Sequence, residues 1–455
     1  MATISIGGLA TGLDTNGIIE QLVALERRRA VTLLEDEQRV AQGRQSALGT
    51  LQGKVSALLG AVDALRDPAS ALARKATSSD ETLVRATAGS GAITGTTEIT
   101  VAALARGAIA TSAAGKSSAD ATVAAGAGSF SFRLGSRDVQ TVAVDGTTTL
   151  AGLAAAINGL GAGVAATVVN VGTSSAPDYR LRVASKGTGT SNDLTIVTDD
   201  TDLGVAVTQA AQNASFTVSG FATPFIREGN VVNDAIPGVT LGLQAAGGPV
   251  TIAVETDGDA VAADVQKVVD AFGDLVAFVA QQSEVVQDTG SQDRDVLAGP
   301  LAFDGTVRNL LSGLRTSVSA ALEDAVGDFS LLAEVGVSSM RDGALAFDRG
   351  KLDQALAADE DGVAALFAGG GSAGGVFDRL HDYLTGVTQP GGLLDVRTRS
   401  VTQQVDLLQD RIDAGERQVD AYEQNLRATF TNLELLVSRL QSQSSFLLGA
   451  LGRTS

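Results

Sequence analysis

The one histidine of the chain, His381, lies in Asp378-Arg379-Leu380-His381-Asp382-Tyr383, flanked by carboxylates as a general base would be. With no second histidine and no cysteine, neither a transition-metal cluster nor a thiolate nucleophile can be assembled around it. An exposed place on a helix face is the plainer reading. The run Asp199-Asp200-Thr201-Asp202 offers calcium ligands, but it lacks the glycine turn and bidentate Glu of an EF-hand loop, and reads as a solvated turn. Asp359-Glu360-Asp361-Gly362 is explained by carboxylates at the positive end of a helix. Gly115-Lys116-Ser117 imitates the end of a phosphate loop, yet Ala110 stands where the first glycine is required. The 52 acidic residues allow many pairs, none singled out as a glycosidase dyad. No catalytic residue, metal ligand or cofactor is expected, and the chain is read as a protein other than an enzyme.

Composition points to architecture instead. Tryptophan is absent and Gly, Ala, Ser and Thr separate short Val, Ile and Leu runs, which suits elongated, turn-rich β modules. A net charge of -19 without a basic cluster disfavours nucleic acid and anionic membrane as partners. Without cysteine, stability must come from packing and association. Residues Met1 to Gly8 show no secretory signal, so export needs another route, and no stretch reaches the ~18 apolar residues of a membrane span.

The spacing predicts an α+β multidomain chain: terminal coiled-coil helices forming a leg, a mixed helical domain, and mainly antiparallel β head domains. The boundaries expected are 1–76 for the N-terminal leg, 77–256 for the β head with a module at 110–210 nested inside it, 257–400 for the helical and mixed domain, and 401–455 for the C-terminal leg. Between Thr77 and Thr256 the apolar period is two, with strands such as Thr97–Val101 and Ser129–Leu134, and one helix at Thr149–Leu160. Asp14 or Thr15 is expected to cap the first helix and Asp67-Pro68 to stop it, while Gly369–Gly375 reads as a connector.

At the two ends the repeat is heptad. Leu48, Leu51, Val55, Leu58, Val62 and Leu65 alternate steps of three and four. Val401, Val405, Leu408, Ile412, Gly415, Val419, Tyr422, Leu426, Thr429, Leu433, Leu436, Leu440 and Leu447 hold a longer frame, weakened at Gly415 and Thr429. At 1.5 Å per residue that frame spans roughly 70 Å, too long to bury its stripe in a small domain, so the simplest closure pairs the two ends with each other and with neighbouring subunits.

Two terminal segments carry a resemblance. Gly8-Leu9-Ala10-Thr11-Gly12-Leu13-Asp14-Thr15-Asn16-Gly17-Ile18-Ile19 and Ala421-Tyr422-Glu423-Gln424-Asn425-Leu426, with Leu436-Val437-Ser438-Arg439-Leu440, resemble the opening and closing of the flagellar hook-associated protein 2 family, the filament caps. Asn233–Leu241 and Arg341–Asp348 are similar to its inner stretches, in the same order.

The resemblance implies a homo-oligomeric ring, a pentamer, standing on the filament by its terminal helices. It further implies flagellin and the hook–filament junction proteins as partners, and uncleaved export through the type III apparatus with its chaperone. The expected location is outside the cell, at the filament tip. The alternative reading is an exported adhesin that binds host mucin or glycans through residues 77–256.

Overall fold

The computed structural model describes residues 14–67, 71–287, 296–322, 326–369 and 374–451. The opening motif up to Leu13, the Pro68 stop and the middle of the Gly369–Gly375 connector lie outside them. The chain divides into two compact units, residues 1–71 with 262–455, and residues 72–261.

The first unit is helical. Helix α1 (Thr15–Arg27) runs through a π-helical turn at Arg28–Thr32 into α2 (Leu33–Asp63). Of the two expected caps it is Asp14 that serves, accepting from the Gly17 N–H at 2.9 Å. Helix α3 (Leu150–Gly159) belongs to the other unit. There follow α4 (Gly258–Gln282), α5 (Gly305–Ser319), α6 (Arg349–Ala358), α7 (Glu360–Ala368), α8 (Val376–Thr388) and the long α9 (Leu393–Leu451). Asp304, Asp348 and Asp359 start α5, α6 and α7 by accepting from the N–H groups of Thr306, Lys351 and Gly362. Each supplies the acceptor that a first helical turn lacks.

The second unit holds β1 (Arg74–Ser78), β2 (Val84–Ala88), β3 (Gly95–Ala103), β4 (Ile109–Ser112), β5 (Gly128–Leu134), β6 (Gln140–Val144), β7 (Val164–Asn170) and β8 (Tyr179–Ser185). It continues with β9 (Leu194–Asp199), β10 (Val205–Gln209), β11 (Ala214–Val218), β12 (Phe225–Arg227), β13 (Val231–Ile236), β14 (Val239–Leu243) and β15 (Gly247–Thr256). Every pairing among them is antiparallel. The five-stranded sheet β1-β15-β3-β11-β12 and the sheet β13-β14-β2 share one core of Val84, Ile99, Phe216, Leu241, Ile252 and their neighbours. The sheets β10-β4-β8-β7 and β6-β5-β9, with α3, enclose a second around Phe130, Phe132, Leu153, Ile157 and Val183.

Strand period accounts for this division of labour: in β11 and β14 alternate residues are buried, so one face of each builds the core and the other meets solvent. The Pro237-Gly238 turn between β13 and β14 needs its glycine, since φ is +74° and a Cβ there would lie 2.5 Å from the Ala92 nitrogen.

The second core belongs to chain inserted into the first. The chain leaves the first module after Ala105 and re-enters at Gln212, where Arg106 and Gln212 exchange two backbone hydrogen bonds of 2.9 and 3.0 Å. Beside that crossing Asn230 stands in for a missing strand: its Oδ1 accepts from the Ala105 N–H at 2.7 Å and its Nδ2 donates to the Ala105 carbonyl at 2.9 Å. Asn230→Leu keeps the bulk and strands both half-buried backbone groups. A loss of about 2–3 kcal/mol is expected in the urea transition of the β unit, with little change at exposed control positions.

Two hairpins complete the helical unit: β16 (Val285–Gln287) with β17 (Val296–Ala298), and β18 (Val337–Ser339) with β19 (Leu345–Phe347). The second places the Arg341-Asp342-Gly343 turn at its tip.

Candidate functional site: the paired terminal helices

The two ends of the chain meet along one antiparallel seam. Gln45 Nε2 donates to Thr402 Oγ1 at 2.9 Å, Gln38 Nε2 to Gln409 Oε1 at 2.7 Å, and Gln418 Nε2 to Glu26 Oε1 at 2.9 Å. Arg27 Nη2 lies 3.4 Å from Glu416 Oε1. Between these exposed rungs Val31, Ile412 and Val419 are buried against Val23, Ala30 and Leu34. The rungs set register rather than strength, because surface ion pairs and side-chain hydrogen bonds contribute about 1 kcal/mol or less each. The apolar centre supplies the cohesion.

The π turn keeps the seam in phase. Leu34, Ala41, Leu48, Val55 and Val62 repeat every seven residues, whereas the step back from Leu34 to Glu26 is eight, as is that from Leu33 to Leu25 on the opposite face. A π turn takes an extra residue per turn, and Arg28–Thr32 absorbs the skip. Ile18, Leu25, Leu33 and Val40 consequently form a second, exposed stripe.

Gly415 sits opposite that turn. A Cβ there would stand 2.6 Å from the Ala30 carbonyl oxygen and 3.2 Å from Val31 Cγ2. Sequence reading takes Gly415 as a weak point in the repeat. The structure shows it buried against the Ala30 carbonyl, with α9 continuous through it.

The seam residues read from sequence fall into three groups. Leu48, Leu51, Val55, Leu58, Leu408, Ile412 and Val419 are buried; Val405, Tyr422 and Leu426 are half-buried. Leu433, Leu436 and Leu440 are exposed, the last two at 57% and 56%. Leu447 is described in its backbone alone. The observed register carries α9 past Asp14, the first described residue, so among the described residues no helix lies opposite Leu433–Leu440. The 393–400 turns of α9, which the periodicity misses, pack Leu394 into the helical core. They begin where Asp395 accepts from the Gly391 N–H at 2.6 Å and from Arg399, which together hold its carboxyl below the usual carboxylate range.

The residues that invited chemistry are occupied elsewhere. His381 is largely covered, with 18% of its side chain exposed; it is not on an open helix face. It bridges α8 to α2, with Nε2 3.4 Å from Asp63 Oδ1 and Nδ1 3.4 Å from Asp382 Oδ1. Asp199 accepts from the Thr201 and Val205 N–H groups, Asp200 accepts from Ser129, and Asp202 pairs with Lys116. Among the described residues no group of three or more His, Asp or Glu is placed to hold a metal. Tyr383, pressed against Gly313, donates to the Leu310 carbonyl at 3.1 Å, and burial raises its phenol.

The family model described as flagellar hook-associated protein 2 C-terminus matches residues 211–442, and the corresponding N-terminus model matches residues 11–108. The B-type flagellar hook-associated protein 2 of Pseudomonas aeruginosa is 33% identical over 90% of each chain. The chain belongs to the flagellar hook-associated protein 2 family. The Escherichia coli K12 member is 28% identical over 98% of each chain. A crystal structure of three domains of the flagellar cap protein FliD from Escherichia coli superposes with a TM-score of 0.63 at 26% identity, covering 78% of this chain and 99% of that one. These relatives are named as hook-associated or cap proteins, and the adhesin reading finds no support in them. Among the described residues no helix is long and apolar enough to cross a membrane.

Gly415→Ala separates the two readings of that glycine. Helix propensity alone would favour alanine by up to about 1 kcal/mol, but the contact with the Ala30 carbonyl outweighs it, and a net loss of about 1–3 kcal/mol is expected in thermal melting of the helical signal. Leu51→Ala should cost about 2–5 kcal/mol, and Leu436→Ala less than about 0.5 kcal/mol.

Proposed function

We propose that the protein caps the flagellar filament, its terminal helices gripping the tip while the β unit covers incoming flagellin. The observation that carries this reading is the exposed Leu433, Leu436 and Leu440 stripe on α9, in a chain of the hook-associated protein 2 family. A soluble domain has no use for such a stripe unless another surface covers it.

The cap associates with itself and with flagellin, and it lies at the filament tip. The seam divides the work: Leu48, Leu51, Val55, Leu58, Val405, Leu408, Ile412 and Val419 hold the subunit together, while Tyr422, Leu426, Leu433, Leu436, Leu440 and Leu447 meet neighbours. Several such legs, each weak, bind together far more tightly than one, yet any one can lift to admit a flagellin subunit. Five subunits form the ring, the junction proteins lie beneath the filament it caps, and the chain reaches the tip by type III export with a chaperone. The role is structural and involves no catalysis. The expected division into leg, head and support is proposed as a functional one, although positions 76 and 400 fall inside β1 and α9.

Deleting the gene should release unpolymerised flagellin into the medium. Full-length protein should restore filaments, and the triple variant Leu433→Gln, Leu436→Gln, Leu440→Gln should not, although its melting temperature stays within a few degrees of the parent. Normal filaments in the deletion strain would remove the cap reading. Filaments restored in full by the triple variant would move the grip elsewhere on the chain.

A further inference from the structure

Phe303 combines two features that a folded chain ordinarily avoids. Its φ is +65°, in the left-handed region that disfavours a bulky side chain, and it is 77% exposed. The turn that holds it is fixed from several sides. Leu301 N–H donates to the Gln282 carbonyl at 2.9 Å, and Asp304 N–H donates to the Leu301 carbonyl at 3.1 Å. The Asp304 side chain, nearly buried, accepts from Thr306 N–H at one oxygen and from Arg397 Nε at the other, each at 2.9 Å. Strain that the surroundings over-determine, ending in an exposed ring, points to a ring held out for contact. Glu284 shares this corner, its carbonyl accepting from Gly299 N–H at 2.8 Å; its side chain is exposed and makes no ion pair among the described residues.

At the other end of α5, roughly 20 Å away along the helix, lies an open groove of about 320 Å³ lined by Phe272, Arg315, Val318, Ser319, Met340 and Arg341. Neither arginine pairs with a carboxylate among the described residues. Arg315 lies across Gly343, where φ is +88° and a Cβ would stand 2.1 Å from its Nη2, and that atom reaches the Asp342 carbonyl at a long 3.5 Å. Met340 is exposed. Guanidinium groups and a thioether over an apolar floor suit an aromatic ring with an acidic neighbour.

We propose that Phe303 and Glu284 of one subunit seat in this groove on the next copy of the chain, the ring between Phe272, Val318 and Met340 and the carboxylate on Arg315 or Arg341. Charge complementarity selects a second copy as occupant: the groove carries two arginines with no carboxylate partner among the described residues, and the chain as a whole carries -19. Knob and hole lie on different surfaces of one subunit, so the contact is head-to-tail and builds rings rather than closed pairs. The inference rests on the self-association of the cap and assigns surfaces to it.

The test is sedimentation velocity of the full-length chain over a range of concentrations, with Phe303→Gly as the knobless variant and Ser319→Trp, at an exposed position, as the filled groove. Glycine relaxes the positive φ, so Phe303→Gly should melt no lower than the parent while its self-association weakens at least about tenfold. Ser319→Trp should weaken association similarly. An equimolar mixture of the two should regain pairs that neither forms alone, since each keeps the face the other lacks. Unchanged assembly of Phe303→Gly, or a mixture that associates no better than its components, overturns the inference and leaves the cap reading standing. A parent chain that stays monomeric throughout overturns both.

Discussion

Helices from opposite ends of a chain can share a seam only while their repeats stay in phase, and here phase is kept by the turn Arg28–Thr32 pressing on Gly415. The skip between Glu26 and Leu34 would rotate everything N-terminal of it by about 100° around a uniform α-helix, turning Ile19 and Val23 from α9 and bringing Ile18 and Leu25 inward. The wider π turn restores the phase, and its bulk has to fit somewhere. Gly415 provides the room by having no side chain where the Ala30 carbonyl stands. The skip, the π turn and the glycine therefore form one device.

That device leaves apolar side chains on both sides of the pair, and their exposure separates folding from assembly. The buried heptad residues of α2, with Ile412 and Val419 of α9, remove apolar surface from water within the subunit, worth about 1.5–3 kcal/mol for each large side chain. The exposed stripes on α1 and on the far end of α9 contribute little to the isolated chain. Their contribution comes on association, where several modest contacts act together. A net charge of -19 keeps such a chain dispersed until geometry aligns the stripes.

Much of this was legible from residue spacing. Period two gave the β unit its strands, and period three-and-four gave both terminal helices, because each reflects which face an element must bury. What stayed hidden depends on partners in space. Gly415 looks like a flaw in a heptad list and becomes a close packing contact only when Ala30 stands opposite. The π turn was signalled by the eight-residue steps from Leu25 to Leu33 and from Glu26 to Leu34, but a seam counted only from Leu48 onward never crosses them. Asn230 imitating a strand for Ala105, 125 positions away, leaves no local trace. His381 looks free in sequence because its partner Asp63 lies on another helix.

The β unit shows how such a chain can vary one part without disturbing another. Its inserted module leaves and re-enters at one crossing, where Arg106 meets Gln212 and Asn230 secures Ala105; Thr188 and Ser191 of the insert also donate to Glu228, and each module closes around its own buried core. Side chains of the inserted core can therefore change without opening the sandwich that carries it, since the two cores share few partners. The terminal helices have no such freedom: a residue gained or lost between Ile18 and Leu34 would move one stripe off its partner and the other off its face. The constraint thus concentrates at the chain ends, which the two family models include, whereas neither model covers residues 109–210, most of the inserted module.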